Sequence, residues 1–246
     1  MTKIKRIEMD GLATEHRRGT WIEPHTHAAH QVVHAGAGIM RVFSTGGAWV
    51  VPPGRALWVP ANTEHSILCF SAVSMRTVYL QGKHTAFSEE CVVWNVSPLM
   101  RELIIRVARG DCRGQDEHLL ALLISEINSI DTAPLHLPEP TDAKLKTMTD
   151  TLLAHPDDSR TLDNWATHLG VTPRTLIRRF QNQTGLTFRQ WRQQARLLAA
   201  LERLAAGQAV TSVALEVGYE STSAFVAMFR ESFGVTPGKY LERTTI

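Results

Sequence analysis

Five histidines, His25, His27, His30, His34 and His65, crowd the first third of this chain. Neutral imidazole is a metal ligand and also a hydrogen-bond donor and acceptor, so the crowding suits either a metal site or a polar ligand pocket. His25 and His27 are separated by one residue and point the same way if both lie on a strand; His65 from an adjacent strand then completes one face of a metal site. A second concentration of chemistry comes later. Between Asp163 and Glu202 there is no acidic residue, while Arg174, Arg178, Arg179, Arg189, Arg192 and Arg196 all fall there. A one-signed stretch of this kind faces a polyanion, and nucleic acid is the first candidate. No nucleophile and base pair, phosphate loop or paired-carboxylate motif supports a further catalytic class.

The chain has 246 residues, 43% of them hydrophobic, which is enough for two packed cores. Its net charge of +2 is unevenly spread. Up to Pro140 acidic residues slightly outnumber lysine and arginine, and beyond it the balance reverses. Cys69, Cys91 and Cys112 are odd in number and lack CxxC spacing, so neither a disulfide framework nor a thiolate zinc site is expected. A cytoplasmic location follows. The start, MTKIKRIEMDG, has no apolar core of a signal peptide, and no run reaches the roughly 18 apolar residues of a membrane helix.

The elements that must position these residues can be read in outline. From Trp21 to Leu80, short apolar runs alternate with Gly36, Gly38, Gly46-Gly47, Pro52-Pro53-Gly54 and Ala61-Asn62, which predicts a small β-barrel or sandwich. Beyond Val96 the period turns helical, through Leu99, Leu103 and Val107 and then Leu119, Leu123 and Ile127, with Ser97 before Pro98 as the cap. DTAPLHLPEP, residues 131–140, holds three prolines and no helix. The fold class is therefore α+β: residues 1–132 a sensor and dimerisation domain (barrel 15–95, helices 97–130), 133–140 a linker, and 141–246 an all-α domain.

That last domain contains a repeat. Ala166 precedes Gly170 by four residues, Leu176 by ten and Phe180 by fourteen; Ala214 precedes Gly218 by four, Phe225 by eleven and Phe229 by fifteen. A small residue lets helices cross closely, the glycine permits a left-handed turn, and the apolar pair anchors the next helix. This is a helix-turn-helix unit used twice, the second copy with one extra turn residue. Thr172 before Pro173, Thr236 before Pro237, and Thr187 with Gln190 supply caps. Thr187 to Ala205 reads as one connecting helix of about 28 Å, close to the roughly 34 Å between successive major-groove faces. Trp165, Leu169, Phe180, Trp191, Leu197, Phe225 and Phe229 are assigned to the core.

LDNWATHLGVTPRTLIRRFQNQTGLTFRQWRQQARL and the later VALEVGYESTSAFVAMFRESFGVTPGKY resemble the AraC/XylS DNA-binding domain over nearly all of residues 150–242. The resemblance implies a first recognition helix near Pro173 to Gln183 that presents Arg174, Thr175, Ile177 and Arg178, with Arg179 beside them. It implies a second that begins near Ser221 or Thr222 and presents Thr222, Ser223 and Val226, with Arg230 further along. Ala227, and Leu241 after Tyr240, stand where arginine is common in the family, so the second copy is expected to read DNA more by apolar contact and shape.

GTWIEPHTHAAHQVVHAGAG and GRALWVPANTEHSILC resemble the two cupin motifs. Gln31 stands where metal-binding cupins have glutamate, and Asn62 where they have a turn glycine. The resemblance implies an effector pocket lined by His25, His27, Gln31, His65 and Trp58. A divalent metal on His25, His27, Gln31 and His65 is the alternative to a dry pocket, and no cofactor is required. The expected function is that of a sequence-specific transcription regulator, not an enzyme: the barrel senses a small molecule and the tandem units read adjacent major grooves of an operator. The alternative is a metal-dependent cupin enzyme fused to a nucleic-acid-binding domain. Expected partners are double-stranded DNA, a small-molecule effector and a second copy through residues 97–130, with RNA polymerase a candidate and no membrane.

Overall fold

The computed structural model describes residues 8–82, 88–111, 116–129 and 135–242. The start of the chain, Cys112 and residues 133 and 134 of the expected linker lie outside them. Contacts divide the chain into two compact units, one running to Thr45 and through Trp49–His136, the other taking Gly46–Ala48 and the chain from Leu137 on.

The first unit is built on two antiparallel sheets. One orders its strands β1-β8-β3-β6-β9, the other β10-β5-β4-β7-β2. The strands are β1 (Glu8–His16), β2 (Trp21–His25), β3 (His30–Ala37), β4 (Met40–Ser44), β5 (Gly47–Val51), β6 (Arg55–Val59), β7 (His65–Cys69), β8 (Val73–Gln81), β9 (Val92–Asn95) and β10 (His136–Pro138). Two are unannounced by apolar runs. β1, EMDGLATEH, is largely exposed and pairs along β8; a polar edge strand leaves little hydrophobic signal. Leu135 and His136, expected as linker, border β5: the Val50 N–H donates to the Leu135 carbonyl at 3.1 Å, and His136 stacks on Trp49.

Helices α1 (Pro98–Ala108) and α2 (Asp116–Asn128) cover the first sheet, and Ser97 caps α1 through the Met100 N–H. Leu103, Val107, Leu119, Leu123 and Ile127 share one core with Val32, Trp58 and Val78. The apolar stripes are thus consumed within the unit, while Leu99 and Leu122 stay exposed.

The second unit is helical: α3 (Ala143–Ala154), α4 (Leu162–Leu169), α5 (Pro173–Thr184), α6 (Phe188–Ala205), α7 (Val210–Glu216), α8 (Thr222–Phe233) and α9 (Pro237–Glu242). Every residue assigned to its core from the sequence is buried. The connecting helix α6 carries the capping box of Thr187 and Gln190. Among the described residues no helix is long and apolar enough to cross a membrane.

Candidate nucleic-acid interface and histidine site

The two helical copies close their turns with the same hydrogen bond. In α4 the Ala166 carbonyl accepts from Val171 N–H, and in α7 the Ala214 carbonyl accepts from Tyr219 N–H, each at 3.0 Å. Gly170 and Gly218 take left-handed φ of 64° and 82° to allow it. The extra residue of the second copy falls after the glycine, before the cap. Thr172 caps α5 through Thr175 N–H, and Ser221 caps α8 through Ala224 N–H.

On α5, Arg174, Thr175, Ile177 and Arg178 line one open concavity of about 690 Å³ together with Gln181 and Asn182. Ile177 is half exposed, an apolar side chain in water on an otherwise polar face. Arg174 and Arg178 are exposed and have no side-chain partner among the described residues. The Thr175 hydroxyl is engaged, accepting from the Thr172 hydroxyl at 2.9 Å. Sequence reasoning passed over Gln181 and Asn182, although Gln181 is one turn on from Ile177 and Asn182 one turn on from Arg178. Arg179 points elsewhere: it pairs with Asp142, the N-cap of α3, at 3.4 Å.

Helix α8 begins at Thr222 with Ser221 as its cap. Ser223, Ala227 and Arg230 are exposed, and Thr222 and Val226 are half-buried. The outward face is therefore hydroxyl and methyl for its first two turns.

The arginines that the sequence leaves unopposed divide once folded. Arg192 donates to the Arg160 carbonyl at 3.0 Å, and Arg196 to the Pro156 carbonyl at 2.9 Å. Asp158 stands among them, held ionised by hydrogen bonds from Arg160. These two arginines stitch α6 to the segment ahead of α4, so the partners are backbone carbonyls and an acid outside the sequence window. With Arg189 they border a second concavity, of about 320 Å³, which Tyr219 also lines.

In the first unit, three of the five histidines meet. Nitrogens of His25, His27 and His65 all lie within 4.8 Å of one another, and no other described His, Cys, Asp or Glu joins the group. Cross-strand pairing of β2 with β7 sets His25 against His65. His27 lies beyond the end of β2, so a shared strand face is not what aligns it. Its carbonyl accepts from Asn62 N–H at 2.7 Å. Asn62 has a φ of 61°, the conformation a turn glycine would supply and one that asparagine tolerates.

His25 Nδ1 lies 2.7 Å from the Glu23 carbonyl and His65 Nδ1 3.0 Å from the Thr63 carbonyl. A carbonyl only accepts, so each Nδ1 carries the proton and each Nε2 the lone pair. Nε2 of His27 and of His65 is buried without a partner. Burial, then the like charge of neighbouring imidazoles, lowers the pKa of His27 and of His65. The site thus gathers imidazole nitrogens as its donors, a chemistry that fits a divalent metal.

Gln31 shares the interior. Its amide N–H donates to the Tyr79 hydroxyl at 3.5 Å, its Oε1 is buried without a partner, and the Tyr79 ring lies 5.0 Å from that of His27. Tyr79 carried no sequence signal, because only the pairing of β3 with β8 sets it opposite Gln31.

Trp58 is not brought to this site. Gln31 pairs with Val59 and Val32 with Trp58, and neighbouring strand residues face opposite ways. Trp58 therefore lies on the helix-covered face, stacked on Trp94 and His30, with its indole N–H on the Ser88 carbonyl. His34 also stands apart, its Nδ1 on the Arg55 carbonyl, and burial lowers its pKa. Burial pushes the Cys91 thiol up to about 11, which keeps it protonated at neutral pH.

Comparison with known proteins adds four findings. A family model described as a helix-turn-helix domain matches residues 165–243. The HTH-type transcriptional regulator NimR of Escherichia coli strain K12 is 33% identical over 225 residues, 90% of this chain and 82% of that protein. The HTH-type transcriptional activator RhaS of Escherichia fergusonii is 24% identical over 272 residues, 96% of each. Among solved structures, ToxT from Vibrio cholerae O395 aligns over 98% of this chain and 100% of its own, at 12% identity and a TM-score of 0.42.

Proposed function

This chain belongs to the AraC/XylS family of helix-turn-helix transcription regulators, and from that premise we propose how its two units divide the work. The helical unit binds duplex DNA, with α5 and α8 entering successive major grooves. Arg174 and Arg178 read bases as bidentate donors, Ile177 contacts a thymine methyl, and Thr175, Gln181 and Asn182 support them. Thr222, Ser223, Val226 and Arg230 act from α8. The observation that carries this reading is the exposed, unpartnered arginine pair on α5, set in a frame that recurs at α8. Arg179 serves α5 by holding it to Asp142.

The test uses duplexes that the full chain selects from a randomised pool. Arg174→Ala or Arg178→Ala should cost about 1–3 kcal/mol and relax discrimination at particular bases. A uniform loss across all sequences would make them phosphate contacts and overturn the base-reading role.

The first unit senses a small molecule at His25, His27 and His65, with Gln31 and Tyr79 on the same interior, and a divalent metal is held by the three histidines. What supports the metal is the donor set: two Nδ1 atoms committed to carbonyls and two buried Nε2 atoms without partners. Metal analysis after dialysis against Zn²⁺ or Co²⁺ should find one ion per chain, lost in His65→Ala. No bound ion in the folded protein would leave a dry pocket. His65→Ala should spare operator binding in the absence of effector, because no proposed DNA contact lies in that unit.

The regulator would act in the cytoplasm, and as a homodimer through α1 and α2. Leu99 and Leu122 support the dimer as the large apolar side chains those helices leave exposed. A monomeric mass at micromolar concentration would remove it. RNA polymerase is the partner a DNA-bound regulator of this kind would touch.

A further inference from the structure

We infer that the histidine site is completed by a small carboxylate from solution, received beside a divalent metal by Gln31 and Tyr79. This deepens the metal reading above and rests on it. The reason is charge. His25, His27 and His65 donate as neutral imidazoles, and no carboxylate or thiolate joins the group among the described residues. The interior side chain next in line is Gln31, an amide only 3% exposed, and beside it stands the Tyr79 phenol. Thr77, two residues before Tyr79 on the same face of β8, contributes a neutral hydroxyl that is buried without a partner. A divalent ion held here keeps its full charge in a largely apolar barrel, which is costly unless an anion accompanies it.

The donors for such an anion are present. The Tyr79 hydroxyl accepts from Gln31 only at 3.5 Å, and its own proton has no acceptor among the described residues. Three nitrogen ligands also leave coordination positions open on a divalent ion. His25 and His27 are only half-buried, so this end of the barrel admits a small molecule.

The experiment titrates Co²⁺ into the chelator-stripped full chain and follows visible absorption, alone and with millimolar glycolate, acetate, phosphate or neutral acetamide. Glycolate and acetate should shift the spectrum and tighten Co²⁺ binding roughly tenfold, and acetamide should do neither. Gln31→Glu supplies the carboxylate within the chain. It should bind Co²⁺ roughly tenfold more tightly without any anion and lose most of the glycolate effect. If Co²⁺ binds but no anion matters and Gln31→Glu is unchanged, the inference is overturned and the metal reading survives. A response to phosphate but not to carboxylates overturns the ligand class. Absence of Co²⁺ binding in both proteins, with a cooperative thermal transition and native near-UV circular dichroism of the tryptophans in the first unit as the check on folding, overturns the metal reading and this inference with it.

Discussion

Gly170 and Gly218 occupy the same place in the two helix-turn-helix copies, four residues after a buried alanine, yet their surroundings differ. A Cβ at Gly170 meets nothing within 4 Å, whereas one at Gly218 would stand 2.5 Å from Arg196 Nη2 and 2.9 Å from Asp157 Cα. The first copy is therefore held by its own caps and core. The second is also clamped: Arg196 lies against its turn while donating to the Pro156 carbonyl. Their outward faces differ in the opposite sense. α5 presents two free guanidinium groups, and α8 presents Ser223 and Ala227 over the matching turns. The copy with the stronger hydrogen-bonding face has the looser turn. The copy with the weaker face is fixed by the rest of the domain, so a role in setting where the first copy lands suits it.

The sharpest break in that comparison is a matched pair of substitutions. Gly170→Ala should cost about 1–2 kcal/mol, the penalty of a left-handed alanine. Gly218→Ala should add about 1–3 kcal/mol of overpacking, because the Asp157 backbone cannot yield as the Arg196 tip can. Calorimetry of the full chains measures both. Equal losses would show that the clamp is soft.

Next in size is the difference between the reading faces. Ala227→Arg should make α8 more like α5, raising operator affinity and steepening the salt dependence by close to one counterion, roughly 0.9 in slope. An unchanged slope would mean that residue 227 does not face DNA. Smaller still, Thr172→Ala and Ser221→Ala should each cost about 1 kcal/mol, since both hydroxyls accept from the third helical N–H at 3.2–3.3 Å, with Thr172→Ala the larger by the bond to the Thr175 hydroxyl; in a Thr175→Ala background the two should be equal. A clear inequality in that background would mean that the shared frame is not energetically shared.

Acid provides the mildest test. Burial lowers the pKa of His27, His34 and His65, so the unfolded chain binds protons there first, near the ordinary value of about 6.5. Stability from these groups is complete above that range and declines as pH falls through it. All three lie in the first unit. Between pH 7 and 5 the first unit should lose stability, and the difference between Gly170→Ala and Gly218→Ala should stay constant. A difference that moved with pH would place an acid-sensitive group at the clamp.

The helical unit was largely legible because its signals are local. The alanine-to-glycine interval, the caps at Thr172 and Thr187 and the apolar pair at helical spacing each act within one or two turns, and these are found as read. The first unit was legible as strands, and the three histidines that meet, His25, His27 and His65, were also named from their spacing and motifs. What stayed hidden is the rest of the site, Tyr79 above all, because it depends on pairings between strands far apart in the chain. A shift of one residue turns a side chain to the other face, and this is why Trp58, adjacent to a pocket-facing position, lies in the helix-covered core instead.

The sequence by itself determined that this protein carries two copies of a helix-turn-helix, where each begins and turns, and which residues anchor them, because short-range backbone and cap chemistry is written residue by residue. It also determined that histidines crowd the first unit. Only the tertiary structure decided that Arg179, Arg192 and Arg196 are occupied while Arg174 and Arg178 are free, because their partners are an acidic cap and backbone carbonyls that composition cannot display. It likewise decided that Tyr79 stands beside His27, and that the Asn62 turn, not a shared strand face, brings His27 to His25 and His65. Register, twist and the crossing of distant strands set those distances, and none of them is a property of neighbouring residues.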